Sequence, residues 1–335
     1  MIDELDMGNV GGTDDAHMAR LGKKQLFDRN FELLSITAFS VIACSGWIFV
    51  PNNAIYGLVD GNTGGTITMF LINFAAFSTI MLSLAEMASM APTAGGQYHW
   101  SSEFAPRGLQ KPLSFTAGWL SSLSWCCGTT GGFFLSGNLI QAVVVELHPT
   151  DYTPVAWKGY LLVLAIAVLG ASINICLSRY LAKIENVAFV FAVSGYASII
   201  IILWVMRTGQ RLSSAEVFKT FTNEGGWSSL GLSMMAGQIL MVWCLTGADA
   251  TAHMAEETRN SSSVIPRAMM WSYTVNGLMI FVLLVTFCFC LTDLDAALKS
   301  PTGYPFIEVF ANATGSPEGM FHLSFHKPTL SRASC

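Results

Sequence analysis

Apolar residues run through this chain in long blocks separated by short polar stretches. Seven blocks are long enough to cross a bilayer, at about 33–58, 66–90, 113–146, 157–177, 184–206, 230–255 and 268–291. Blocks of that length and apolarity predict membrane-spanning helices. The block 113–146 is longer than a straight crossing needs, and so are two others: 33–58 and 230–255 each hold about 26 residues, or about 39 Å of helix, against a hydrocarbon core of about 30 Å. The last two share a further feature. Each is interrupted near its middle by a small polar step. In the first block the step is Cys44-Ser45-Gly46, and in the sixth it is Thr246-Gly247-Ala248-Asp249. Paired interrupted helices in two parts of a chain mark the substrate site of many secondary transporters. The expectation is an all-α polytopic membrane protein that carries a small molecule.

Composition agrees. The chain has 335 residues, 52% hydrophobic and 12% charged, with a mean hydropathy of +0.50. Soluble domains carry about 25% charged residues, so most of this chain is expected to face lipid. A net charge of −5 and the lack of a long basic run argue against nucleic-acid binding. Residues 1–30 hold Asp3, Glu4, Asp6, Asp14 and Asp15, then Lys23, Lys24 and Arg29, with no apolar core of a signal peptide. They are expected to form a disordered cytosolic tail. With that end inside, the inner loops hold ten Lys and Arg and the outer loops five, the bias expected of this orientation. The sequon Asn312-Ala313-Thr314 then falls outside, and Asn260-Ser261-Ser262 inside. Residues 292–335 contain no further long apolar run and are expected to form an extramembrane loop and tail.

Little points to other chemistry. Seven of the eight cysteines lie in or beside apolar blocks, where cysteine acts as a small hydrophobe, and no C-x-x-C pair occurs. The histidines are scattered; His322 and His326 are four apart, but in a polar tail without other ligand types. No metal site and no cofactor is expected. A P-loop, a nucleophile elbow and an H-E-x-x-H motif are all absent. An enzyme within the membrane would need clustered His/Asp or Ser/His groups, and only Asp249 with His253 comes near.

The first interruption would free backbone groups in mid-membrane, which is tolerated only where protein or a water-filled cavity covers them. The N–H groups that open the next half-helix suit an anion. Pro51 adds a second perturbation; the competing reading is a kinked but unbroken helix. In the second interruption, Asp249 stands in an apolar context and needs a cation, a donor, a substrate or a proton. It serves a ligand or is an internally bonded structural acid. Trp243 can cover an ammonium by cation–π attraction or simply pack. Asp249 and His253 are i, i+4 and would share a helix face as a proton relay; alternatively His253, Glu256 and Glu257 mark the helix end and bind loop groups. Glu86 has the same two readings.

Two stretches resemble a known family. The loop Ala85-Glu86-Met87-Ala88-Ser89-Met90-Ala91-Pro92-Thr93-Ala94-Gly95-Gly96-Gln97-Tyr98-His99-Trp100 is similar to the signature loop of amino acid permeases in the amino acid–polyamine–organocation superfamily. The run Gly247 to Thr258, followed by Val264-Ile265-Pro266-Arg267-Ala268, resembles that family's sixth helix and the loop behind it. Leu21-Gly22-Lys23-Lys24-Gln25 and Ser300-Pro301-Thr302-Gly303-Tyr304-Pro305-Phe306 narrow the likeness to the fungal branch with choline and GABA permeases. The likeness covers about residues 20–315.

The resemblance implies two inverted five-helix repeats plus two extra helices, with alternating access driven by a proton gradient. The permease domain would be 31–291, with a first repeat at about 31–206 and a partial second at about 228–291. Cys44, Ser45 and Gly46 inherit the substrate-facing stretch of helix one. Trp243 inherits the occluding aromatic, and Thr246, Gly247 and Asp249 the unwound part of helix six. The family's Gly-Ser-Gly step is Cys-Ser-Gly here. The lysine that replaces a sodium ion in some relatives is missing from segment five. About five further helices of the implied fold are not present. The expected function is secondary transport of an amino acid or related amine such as GABA or choline, across the plasma membrane or an internal one. The alternative is a truncated, transport-inactive permease fragment.

Overall fold

The computed structural model describes residues 29–148, 151–177, 180–205, 211–298 and 304–314. The terminal tails expected before Arg29 and after Thr314 lie outside the described residues. In chain order the helices are α1 (Leu33–Cys44), α2 (Val50–Met90), α3 (Gly96–Phe104), α4 (Gln110–Leu147), α5 (Ala156–Cys176) and α6 (Leu181–Val205). They continue with α7 (Ser214–Lys219), α8 (Leu230–Gly237), α9 (Ile239–Cys244), α10 (Ser261–Cys290), α11 (Leu294–Leu298) and α12 (Pro305–Thr314). Two 3₁₀ segments, Gly46–Phe49 and Ala248–Glu257, sit at the two expected interruptions. The described residues form no sheet, only an isolated bridge between Phe31 and Thr258. Among the described residues, six helical runs are long and apolar enough to span a membrane.

The count is six because the first two expected blocks join into one helical run, Leu33–Met90, of 58 residues. Two non-helical residues divide it. Ser45 adopts a left-handed conformation (φ 30°, ψ 37°) and its N–H closes α1 on Val41 O. Asn62 (φ 56°, ψ −167°) breaks α2 inside the sequence Gly61-Asn62-Thr63-Gly64-Gly65. Its Oδ1 accepts from Thr63 N–H at 2.7 Å, a local bond that favours turns over helix. Helix one is therefore broken, not merely kinked. Pro51 does not contribute to the break: it sits in the first turn of α2, where a missing N–H costs nothing.

Contacts divide the chain into two compact units. One comprises the residues up to Gly46, Ile72–Cys126 and Trp243–Leu278. Its core includes Ile36, Ala88, Trp100, Ile265 and Met269, all fully or almost fully buried. Phe74 stacks on Tyr273 with ring centroids 5.0 Å apart, and the Tyr273 hydroxyl donates to Phe74 O at 2.6 Å. Gly277 makes room for that ring, since a Cβ there would lie 2.1 Å from Phe74 Cε2.

The other unit comprises Trp47–Leu71, Cys127–Val242 and the residues from Met279 onward. Trp47 meets Tyr196 edge-on at 5.3 Å, and the Tyr196 hydroxyl donates to Met279 O at 3.0 Å. The loop between α6 and α8 straps the Asn62 turn. Gly64 N–H donates to Thr220 O at 3.0 Å and Glu224 N–H to Val59 O at 3.1 Å. Asp60 Oδ1 accepts from Trp227 Nε1 at 3.1 Å. The glycines of α4 are mostly not close-packing positions: Gly128, Gly131 and Gly132 face open space, whereas Gly137 admits the backbone of Val163. Residues 305–314, which have no long apolar run, form a helix with Ile307, Val309 and Phe310 buried.

Candidate functional site

In the first unit the two interruptions meet. α9 ends at Cys44's counterpart in the second block, Cys244, and Thr246 turns back on it: its N–H and hydroxyl both donate to Trp243 O, at 3.2 and 2.8 Å. Gly247 then takes φ 104° and ψ −12°, a conformation in which a side chain would be strained. A Cβ on Gly247 would lie 3.4 Å from Cys44 Cα and 3.6 Å from its Sγ. The end of α1, just before the first break, thus touches the second break. Cys44 is buried, and its thiol lies within electrostatic range of the Asp249 carboxylate.

The segment after Gly247 is 3₁₀ rather than α-helical. In a 3₁₀ helix residues three apart eclipse each other, so Asp249 and His253, four apart, do not share the face that an α-helix would have provided. Each instead finds a partner beyond α2, Asp249 in the first turn of α3 and His253 in the loop before it. Gln97 Nε2 donates to Asp249 Oδ2 at 2.5 Å, and His253 Nδ1 bonds Ala94 O at 2.8 Å. Glu256 Oε1 accepts from Ala94 N–H at 3.3 Å. His253 and Glu256 therefore bind loop groups. That loop is held by Trp100, 1% exposed, whose Nε1 donates to Ala91 O at 2.9 Å.

α1 and the 3₁₀ segment are tied along their length. Ser40 and Thr251, both fully buried, share a hydroxyl–hydroxyl bond of 2.6 Å. Beyond them the Asn30 and Phe31 N–H groups both donate to Glu257 O, Arg259 N–H donates to Phe31 O, and Arg29 Nη1 donates to Thr258 O at 2.6 Å.

Of the seven residues expected at the site, Cys44, Gly247 and Asp249 come together here. Ser45 shapes the break, with its hydroxyl spent on Ile42 O at 2.5 Å, and Gly46 opens the 3₁₀ turn behind it. Thr246 closes α9. Trp243 is 42% exposed, and among the described residues no ring contact or hydrogen bond joins its indole to Asp249. Glu86 is exposed on α2. Gln97 was not singled out by sequence; it sits in the signature loop, next to Gly95 and Gly96, as a polar residue whose partner lies 152 positions away.

Comparison with known proteins follows the same line. The amino acid permease family model matches residues 31–323. A Macrophomina phaseolina protein designated an amino acid/polyamine transporter is 28% identical over 84% of this chain and 61% of its own length. Amino-acid permease 2 of Neurospora crassa is 25% identical over 92% of this chain and 57% of its own. The choline transporter of Saccharomyces cerevisiae is 26% identical over 96% of this chain and 55% of its own. The chain thus spans about half to three-fifths of the length of these relatives. No solved structure matches at a significant level. With its apolar helices and this match, the chain is an integral multi-pass membrane protein, and it belongs to the amino acid permease family of the amino acid–polyamine–organocation superfamily.

Proposed function

We propose that this chain acts in secondary active transport of amino acids or related amines, with the proton as coupling ion. The contact of the two interruptions, Gly247 on Cys44 with Asp249 alongside, carries the reading. Broken helices that meet at their unwound steps leave backbone groups for a substrate, and a carboxylate among them suits its cationic end. On this reading Cys44, Ser45, Gly46, Trp243, Thr246, Gly247 and Asp249 surround the substrate. Residues 31–206 and 228–291 form the first repeat and part of an inverted second, and the plasma membrane is the address.

The test is uptake of labelled GABA, choline and a small amino-acid panel by cells expressing the chain, with and without a proton gradient. Asp249→Asn is the comparison, at equal surface level. Uptake that depends on the gradient and falls at least tenfold in the variant supports the proposal. Uptake by the chain that ignores the gradient removes proton coupling, and no uptake of any compound overturns transport by this chain.

A further inference from the structure

Three hydrogen-bond acceptors in the first unit compete for too few donors. Asp249, ionised, only accepts, and receives one N–H from Gln97. That bond fixes the orientation of the Gln97 amide, so that its Oε1 is turned elsewhere; it is buried and has no partner. The His253 ring is fixed in the same manner. Ala94 O can only accept, so Nδ1 carries the hydrogen of that bond. In the neutral ring Nε2 is then an acceptor, and it too is buried without a partner. The pieces are neighbours: a Cβ on Gly96, adjacent to Gln97, would lie 3.3 Å from His253 Cε1, the carbon bonded to Nε2.

A buried acceptor left unpaired is destabilising, because it has given up its water without a replacement. Two beside a carboxylate ask for a ligand that brings several N–H donors and a positive charge. We infer that Asp249, Gln97 and His253 form a site for a primary ammonium group, so that the carrier selects primary amines over quaternary ones. A primary ammonium has three N–H donors for three acceptors. A trimethylammonium has none, and would bury Gln97 Oε1 and His253 Nε2 against methyl groups. Quaternary ammonium recognition relies on aromatic faces; of the indoles beside this segment, Trp243 makes no contact with Asp249 among the described residues, and Trp125 is engaged with the His253 ring, centroids 6.0 Å apart at 74°. Sites built to hydrogen-bond a substrate N–H reject analogues that lack it far more strongly than they sense a missing methylene.

This inference rests on the proposed transport function for its purpose, but its test measures binding. The purified full chain in detergent is titrated with two matched pairs, ethanolamine against choline, and GABA against its N-trimethyl analogue, with ligand-induced thermal stabilisation as the readout. Within each pair three N–H donors give way to three methyl groups while the nitrogen keeps its positive charge. The expected result is at least tenfold tighter binding of the primary member in both pairs. Gln97→Leu should narrow the ratio by weakening the primary amine and leaving the quaternary one unchanged. Equal or tighter binding of the quaternary member overturns the inference, and so does a Gln97→Leu variant that weakens both alike. No binding by any of the four also overturns it, leaving ordered water as the donor. Selective binding without uptake in cells would sink the transport proposal alone. The wild-type comparison stands even where the variant does not fold.

Discussion

Gly247 lies against Cys44, where a Cβ added to it would stand 3.4 Å from Cys44 Cα, and it holds a φ of 104°. Both facts make it the least replaceable residue at the second interruption. Gly247→Ala should destabilise the protein by about 1–3 kcal/mol through backbone strain. The measurement is the unfolding midpoint in detergent. Gly231→Ala is the control: Gly231 lies in α8 with open space around it, and its replacement should not lower the midpoint.

The buried hydroxyl pair should behave as a unit. Thr251→Val leaves Ser40 Oγ and Ala248 O each without the hydroxyl that meets it now. The expected cost is about 1–3 kcal/mol, the penalty for stranding buried polar groups. Ser40→Ala together with Thr251→Val should cost less than the sum of the two single changes. A double-mutant cycle on the same unfolding transition checks this, and strict additivity would mean that the pair is not coupled.

Gly64 holds the strap of the second unit by backbone alone. A Cβ there would come within 2.7 Å of Thr220 O and 3.1 Å of Phe218 O, neither of which is the yielding end of a side chain. Gly64→Ala should pry residues 216–224 from α2 and raise their amide hydrogen exchange at least tenfold, which is about 1.4 kcal/mol of local stability. Exchange in α10 should stay as it is.

Glu216 gives a pH signature outside the membrane. Bonds from the Ser213 backbone and hydroxyl hold its carboxyl below the usual carboxylate range, and the two residues form a capping box at the start of α7. Because the folded value is the lower one, the cap's contribution is complete above the ordinary range and fades as pH falls through the folded value. α7 should therefore fray as pH falls below the ordinary carboxylate range. NMR of the Glu216 side chain and the α7 amides across pH would follow it, and Glu216→Gln should abolish the step.

Much of this protein is readable in its sequence. Apolar blocks longer than 18 residues can be satisfied only in lipid or a large core, so spans, helical class and the approximate limits of α4, α5, α6 and α10 follow from composition and length. Both interruptions are equally visible, because Cys-Ser-Gly and Thr-Gly-Ala-Asp lack the apolar surface and helix propensity that would carry a helix through them. The signature loop and sixth segment also point to the permease family.

Other features depend on the folded chain. No local pattern distinguishes a 3₁₀ segment from an α-helix at 248–257. That choice follows from strapping the segment to α1 and to the loop after α2, and it alone separates Asp249 from His253. Gln97 meets Asp249 across 152 residues, and only packing brings them together. The sequence by itself determined where helices run and where they break, since both depend on neighbours along the chain. Which side chains face one another at the breaks was decided by tertiary contacts, because a hydrogen bond depends on distance in space rather than on separation in sequence.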